Sequence, residues 1–176
     1  FFHSWLFILF AIAVVGLFYC LPKGLPRRLL LLLAGLYFYA CFRPEYLILM
    51  LAVVFMDYTV ARFMEKTIAI KKRRFFLCCS LFFDLGILFL FKYLGFFEET
   101  WNAIFSSLSG EIYLPSLLLP MGIPFYTFQS LSYVIDVYRK KIPAEKSLLQ
   151  YSLYVTFFPQ LVAGPIENAK HLLPQV

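Results

Sequence analysis

The sequence predicts an all-α fold, that of a polytopic integral membrane protein whose broken helices line a cavity. Three observations support this fold class: 62% of the 176 residues are hydrophobic, only 15% are charged, and the mean hydropathy is +0.79. Soluble domains usually carry about a quarter charged residues. A soluble fold of this size also has too little interior to hide so much apolar surface. An integral membrane protein is therefore expected.

Four apolar runs are expected to cross the membrane as helices, at residues 5–21, 29–42, 46–64 and 75–97. The turn Pro22–Pro26 ends the first run, and Arg43–Pro44 ends the second, because proline cannot continue a helix. The second run is short for a hydrocarbon layer of ~30 Å, so we expect flanking residues to help it span the layer.

Residues 98–116 differ in character from the run before them. Trp101, Ile104, Phe105 and Leu108 recur at helical spacing among asparagine and serine residues. This pattern predicts an amphipathic segment that lies on the outer surface of the membrane and does not cross the bilayer.

Two later apolar stretches, residues 117–138 and 148–166, are expected to be broken helices. A Pro-Met-Gly-Ile-Pro sequence interrupts the first, and Phe-Pro and Gly-Pro pairs interrupt the second. Such breaks leave backbone groups that hydrocarbon cannot satisfy, so the segments must be buried in protein or line a wet cavity. Seven residues of the two stretches are therefore candidates for the wall of a cavity or tunnel: Gln129, Tyr133, Asp136, Arg139, Pro159, Gln160 and Gly164.

A structural role is an open alternative for several of these candidates. Asp136 and Arg139 are three residues apart, a distance at which helical side chains pair, so they could form an ion pair at a helix end. The same end could instead form the cytoplasmic mouth of a cavity. The amide of Gln129 could satisfy backbone groups that the neighbouring prolines leave free.

The placement of charge predicts the orientation of the chain. The net charge is +6, and thirteen of the sixteen Lys and Arg residues lie in the connections after the first, third and fifth apolar runs. By the positive-inside rule these connections face the cytoplasm and the N-terminus lies outside. Because topology accounts for the cations, no nucleic-acid partner is expected.

Charged residues also lie inside two of the predicted spans. Asp57 and Arg62 belong to the third run, and Asp84 and Lys92 belong to the fourth. Each charge at the centre of a membrane helix costs about 2.5 kcal/mol or more. Asp84 and Lys92 are eight residues apart on one helix, too far for direct contact, so each is expected to have a partner elsewhere. Arg62 can reach the cytoplasmic surface. A structural ion pair and a role in a substrate path both stay open.

No catalytic or metal-binding constellation is visible in the chain. His3 and His171 lack a nearby partner arranged as in a triad, and all four cysteines fall inside apolar runs without the spacing of metal ligands. There is no phosphate-binding glycine loop. Taken alone, the residues indicate a membrane protein with a cavity but identify no reaction.

The two broken stretches resemble the membrane-bound O-acyltransferase (MBOAT) family. The sequence from Pro120 to Arg139, PMGIPFYTFQSLSYVIDVYR, is similar to a signature of its alginate O-acetylation branch. The sequence FPQLVAGPIE, followed by LLPQ, is similar to the second signature of that branch. The upstream hydropathy pattern agrees, so the resemblance covers essentially the whole chain. One departure is Asn168, where members often carry an arginine.

The resemblance implies that the chain is the N-terminal part of the MBOAT fold, with no catalytic residue of its own. The family's histidine follows a tryptophan well downstream of these signatures and is expected beyond Val176; His171 does not replace it. The implied protein is a multi-pass protein of the bacterial cytoplasmic (inner) membrane.

The resemblance also implies substrates and partners. The donor would be acetyl-CoA or another acyl donor, with no bound cofactor and no metal. Besides the lipid bilayer, the partners would be extracytoplasmic acetyltransferases or a polysaccharide acceptor such as alginate.

Two alternatives from other classes stay open. The first is a transporter or channel that binds solute at broken helices, which would show inverted repeats and solute flux without acyl-CoA. No internal repeat is visible in this chain. The second is a non-catalytic, truncated membrane subunit. Turnover of an acyl donor separates the enzyme from both alternatives.

Overall fold

The described part of the chain is entirely helical. The computed structural model describes residues 5–41, 44–109 and 123–157, which form helices joined by short turns and contain no strand. The six helices are α1 (Trp5–Cys20), α2 (Leu25–Ala40), α3 (Pro44–Lys66), α4 (Ile70–Ser109), α5 (Ile123–Tyr138) and α6 (Leu148–Thr156). The all-α fold class is confirmed.

Two helices are long and apolar enough to cross a bilayer, Tyr46–Lys66 within α3 and Ile70–Tyr93 within α4. A shorter apolar stretch, Phe7–Cys20, makes up most of α1. The helix α2 begins at Leu25, earlier than the predicted run, because Pro26 fits the first turn of a helix, where no intrahelical donor is needed. Together with the composition, these helices fit a membrane protein.

The helix α4 continues through part of the segment that was predicted to lie apart on the membrane surface. It has 40 residues, a length of about 60 Å, which is twice the ~30 Å thickness of the hydrocarbon layer. Residues 70–109 contain no proline, so nothing in their backbone chemistry forces a break. The predicted surface segment thus begins as an extension of α4, and its position on the membrane stays a prediction.

The core surrounds α3, which contacts α2, α4, α5 and α6. Four apolar side chains on one side of α3 have no exposed surface: Met50, Val53, Ala61 and Met64. Four tyrosines from α5 and α6 are equally buried: Tyr126, Tyr133, Tyr151 and Tyr154. These four tyrosines therefore fill the interior, whereas Phe125 and Phe128 of α5 are exposed.

The helices α1 and α4 lie at the edge of the bundle. Val14 of α1 packs in a small cluster with Ala34 and Phe38 of α2. One side of α4 is apolar and open, with Phe82 84% and Phe89 62% exposed. Large apolar side chains on an outer helix face are expected where a membrane protein meets lipid.

Both predicted helix breaks lie next to an observed helix end. The helix α5 begins at Ile123, directly after Gly122, and α6 ends at Thr156, three residues before Pro159. Residues 110–122 and 158–176 lie outside the described residues. The remainder of each broken stretch therefore stays a prediction.

Candidate functional site

A buried carboxyl group, that of Asp57, joins four helices near the middle of α3. Its side chain has no exposed surface. The Ser80 hydroxyl of α4 donates to Asp57 Oδ1 at 2.6 Å, and the Ser130 hydroxyl of α5 donates to Asp57 Oδ2. Both donors are fully buried as well. Asp57 therefore has the interhelical partners that its position in an apolar span requires.

The fourth helix reaches this carboxyl through a relay. Tyr151 Oη of α6 lies 2.6 Å from Ser130 Oγ. A serine hydroxyl has a single proton to donate, and Ser130 gives it to Asp57, so Tyr151 must donate to Ser130. The order of donation is Tyr151 to Ser130 to Asp57. We call Asp57, Ser80, Ser130 and Tyr151 the carboxyl network.

A second carboxyl group adjoins the carboxyl network and contacts it through Asp57. Asp84 lies one turn beyond Ser80 on α4, is fully buried, and interacts with Asp57. Within the described residues, no serine, threonine or backbone N–H donates to either oxygen atom of Asp84, whose polar contact is the Asp57 carboxyl group. The nearby Tyr126 hydroxyl faces that of Tyr39. An ionisable side chain inside a membrane helix is a candidate functional position, so the contact between the two carboxyl groups is the candidate site of this chain.

Gln129 connects the two predicted cavity-lining helices. Its Nε2 donates to the Tyr154 carbonyl oxygen at 2.8 Å, and the Tyr154 hydroxyl donates to the Gln129 carbonyl oxygen at 3.4 Å. Tyr154 lies in the last turn of α6, where carbonyl groups have no intrahelical partner. The amide thus satisfies the free backbone of α6, the structural alternative weighed for this residue from the sequence.

Tyr133 fixes the connection between α5 and α6. Its hydroxyl accepts the backbone N–H of Glu145 at 2.8 Å, and its ring lies 4.7 Å from that of Tyr151, measured between centroids. The side chain has no exposed surface. Tyr133 therefore holds the connecting loop against the same tyrosine that donates into the carboxyl network.

Asp136 pairs with a different cation from the one its spacing suggested. Lys141 Nζ lies 3.6 Å from Asp136 Oδ1, while Arg139 is exposed. The chain reverses after α5, and the Lys141 N–H returns to the Asp136 carbonyl oxygen at 2.9 Å. This reversal, which helical spacing cannot represent, brings Lys141 beside the carboxylate. Pro159, Gln160 and Gly164 lie outside the described residues.

Arg73 is buried, unlike the other cations at the start of α4. It is only 7% exposed, and it donates to the carbonyl oxygens of Met64 at 3.2 Å, Val137 at 3.1 Å and Tyr138 at 2.8 Å. A guanidinium group has enough donors for this arrangement. Arg73 therefore connects the end of α3 to the end of α5. The sequence did not predict this role, because Arg73 is one of four consecutive cations at residues 71–74.

The other two intramembrane cations do not meet the buried carboxyl groups. Arg62 NH1 lies 3.0 Å from Glu65 Oε2 near the end of α3, and Lys92 is exposed, with its Nζ 5.4 Å from the centroid of the Tyr93 ring. Within the described residues, no group of three or more His, Cys, Asp or Glu side chains could hold a metal ion. The described site is therefore a hydroxyl and carboxyl site.

Ser80, Ser130 and Tyr151 were not among the residues singled out from the sequence. The sequence gave a weak indication for Ser80 only. Ser80 and Asp84 are four residues apart, so they lie on the same side of a helix, where two polar side chains in an apolar span are expected to face the protein interior. Nothing in the sequence identified the partners of Asp57, because they are 23 and 73 residues away.

Comparison with known proteins gives relatives along nearly the whole chain. No family profile and no solved structure matches it. Several relatives carry the name "Probable alginate O-acetylase AlgI". The one from Pseudomonas aeruginosa is 37% identical over 95% of this chain and 32% of the relative. The one from Pseudomonas putida is 38% identical over 95% of this chain and 35% of the relative.

A more distant relative carries a different substrate in its name. The peptidoglycan O-acetyltransferase of Helicobacter pylori is 30% identical over 84% of this chain and 32% of its own length. The chain thus spans about a third of the length of the curated relatives it matches. The similarity extends over 95% of the chain and agrees with the helical membrane architecture, and the chain belongs to the membrane-bound O-acyltransferase family.

Proposed function

We propose that the chain is the N-terminal part of a membrane-bound O-acyltransferase, which transfers an acetyl group from a cytoplasmic donor to a polysaccharide outside the cell membrane. The observation that carries this proposal is the similarity to the alginate O-acetylases over 95% of the chain. The donor is acetyl-CoA or another acyl donor, and the acceptor is an exopolysaccharide of the alginate type. Extracytoplasmic acetyltransferases are the proposed protein partners.

The proposed orientation follows from the distribution of charge. Most of the cations lie in the connections after α1 and α5 or in the helix ends beside the connections after α1 and α3. In the proposed orientation these ends face the cytoplasm of a bacterial inner-membrane protein, with the N-terminus outside. These cations attract an anionic donor to the cytoplasmic face. The catalytic base is a histidine beyond Val176, which takes the proton of the acceptor hydroxyl.

Within this chain, the residues around the carboxyl network form one wall of the path of the acyl group. Asp57 itself has a structural role, because each of its oxygen atoms accepts a hydrogen bond, one from Ser80 and one from Ser130. Asp84 and Tyr126 are the candidates for contact with a polar substrate, since both are buried beside the network and neither receives the serine donors that occupy Asp57. Gln129 and Tyr133 support this wall by holding α6 and its loop.

The test uses the full-length protein in liposomes with labelled acetyl-CoA. Turnover of the donor in the presence of polysaccharide is the expected result, and solute flux without any turnover would instead favour a transporter. The key variant is Asp84→Asn, which keeps the shape of the side chain and replaces the carboxyl group by an amide. We expect turnover to fall between about tenfold and a hundredfold with little change in thermal stability.

A matched control is available on the same helix. Phe82→Leu alters an outward-facing side chain of α4 that is 84% exposed, and it should leave turnover unchanged. Equal turnover in wild type and Asp84→Asn would remove Asp84 from the path. Loss of folded protein in Asp84→Asn would show that the carboxyl group is structural.

A further inference from the structure

A cavity of about 370 Å³ lies between the end of α3, the following turn and the loop that joins α5 to α6. It is separate from the carboxyl network. Its wall mixes charged and apolar side chains: Glu65, Thr67, Ile68, Arg73, Val137, Lys140, Lys141, Ile142, Pro143 and Ala144. In the proposed orientation this cavity is on the cytoplasmic side.

The short turn between α3 and α4 places the cavity at the level of the lipid headgroups. Only residues 67–69 separate the two spans, so the ends of both helices lie at the membrane surface. Ile68 is 95% exposed and Ile70 is 69% exposed. Such apolar side chains at a membrane surface are stable when they contact lipid, so the rim of the cavity borders the bilayer.

The acidic group of the cavity is already neutralised. Glu65 Oε1 accepts the Ala144 N–H at 3.2 Å, and Glu65 Oε2 pairs with Arg62 at 3.0 Å. Lys141 shares its charge with Asp136 at 3.6 Å. Arg73 keeps its positive charge while it binds three backbone carbonyl groups. The cations therefore dominate the field inside the cavity.

Lys140 contributes a cation from a strained backbone position. Its φ is +57°, the left-handed region that favours glycine. The Lys140 N–H bonds to the Val137 carbonyl oxygen at 3.1 Å and the Lys141 N–H to the Asp136 carbonyl oxygen, the pattern of a Schellman turn at the end of a helix. Lysine here adds strain that glycine would avoid, and it places an ammonium group at the cavity. In the described chain, Lys140 forms no ion pair of its own.

We propose that this cavity binds the phosphate group of an anionic phospholipid, with Lys140 as the main contact. A basic pocket between membrane helices on the cytoplasmic side is a known setting for acidic lipid headgroups. The apolar rim at Ile68 suits the glycerol and acyl chains of the lipid, which a soluble nucleotide lacks. The bound lipid links the α3–α4 turn to the α5–α6 loop.

The test uses the full-length protein in nanodiscs made of phosphatidylcholine with a small fraction of phosphatidylglycerol. Lys140→Gly removes the ammonium group and relieves the left-handed strain, so it separates charge from folding. Native mass spectrometry should show about fivefold less phosphatidylglycerol retained by Lys140→Gly than by wild type. Thermal stability in phosphatidylcholine alone should be equal or higher in the variant.

Lys23→Gly is the matched control, because Lys23 is an exposed lysine in the α1–α2 turn and does not line the cavity. It should retain as much phosphatidylglycerol as wild type. Equal retention by Lys140→Gly, or displacement of phosphatidylglycerol by adenosine 3′,5′-bisphosphate, would overturn the lipid assignment. Retention is measured without acyl transfer, so either result leaves the proposed function to be decided by its own experiment.

Discussion

Gly35 of α2 and Thr156 of α6 are in such close contact that no side chain fits between them. A Cβ atom at Gly35 would lie 2.3 Å from the Thr156 carbonyl oxygen, a backbone atom that cannot move aside. The glycine therefore sets the distance between α2 and the end of α6, in the way that small residues allow close approach of membrane helices.

We expect Gly35→Ala to destabilise the protein by about 1–3 kcal/mol or more, because the added methyl group forces the two helices apart. Thermal denaturation of the full-length protein in detergent measures the change. Gly16→Ala and Gly86→Ala are controls in α1 and α4, where a Cβ would meet nothing within 4 Å. These two should be neutral or slightly stabilising. Equal melting temperatures for all three variants would contradict the close contact.

Ser130→Ala should destabilise the protein more than Ser80→Ala. Ser130 serves two partners, the Asp57 carboxyl group and the Tyr151 hydroxyl, whereas Ser80 serves only Asp57. Each buried polar atom left without a partner costs about 1–3 kcal/mol. We expect losses of about 2–4 kcal/mol for Ser130→Ala and about 1–2 kcal/mol for Ser80→Ala, measured by denaturation of the full-length protein.

The double variant Ser130→Ala/Tyr151→Phe tests the hydrogen bond between the Ser130 and Tyr151 hydroxyl groups. Tyr151→Phe removes the hydroxyl that Ser130→Ala leaves without an acceptor, so the double variant should be more stable than Ser130→Ala alone. Strictly additive losses would mean that the two hydroxyl groups do not share a hydrogen bond.

Arg73→Lys should weaken the junction between α3 and α5 by about 1.5–3 kcal/mol, although the charge is kept. A single ammonium group cannot reproduce the planar fork that reaches carbonyl oxygens on both helix ends. Limited proteolysis of the α3–α4 turn and thermal denaturation both report the loosening. Lys72→Arg, a change at the exposed neighbouring residue, should have no effect on either measurement.

Gln129→Glu tests the amide that joins α5 to α6. The substitution keeps the shape of the side chain but replaces the Nε2 donor by an oxygen atom, which then faces the Tyr154 carbonyl oxygen. A lost buried hydrogen bond of this kind costs about 1–3 kcal/mol. The change should appear as faster hydrogen exchange in α6. Unchanged exchange in α6 would show that the amide does not hold this helix.

The sequence predicted the elements of this fold better than its contacts. The apolar runs located five of the six helices to within a few residues at one or both ends, because hydropathy and proline act locally along the chain. The surface segment after Phe97 was expected as a separate element, yet α4 runs through it to Ser109. Amphipathic spacing indicates a helix but does not indicate where the preceding helix ends.

The candidate site was predicted in outline only. Gln129 and Tyr133 were chosen as lining of a cavity, because a lipid-facing helix does not favour such polar side chains. Both are buried and hydrogen-bonded, and their place in a cavity wall stays a prediction. Their partners, in α6 and in the loop before it, could not be read from the sequence because the contact depends on how the helices pack. Asp136 shows the same limit, since the left-handed turn at Lys140 turns the chain back toward it and gives it Lys141.

The sequence by itself determined that this is a helical membrane protein of the O-acyltransferase family, because hydropathy, proline placement and the two signatures are properties of short stretches. Only the tertiary structure decided that Asp57 gathers Ser80, Ser130 and Tyr151 around one carboxyl group, and that Asp84 lies beside it. These residues come from four helices, and side chains so far apart in the chain meet only when the helices pack. The physical reason is that a buried carboxyl group is stable only when it accepts hydrogen bonds, and its donors can come from residues that are distant in the sequence.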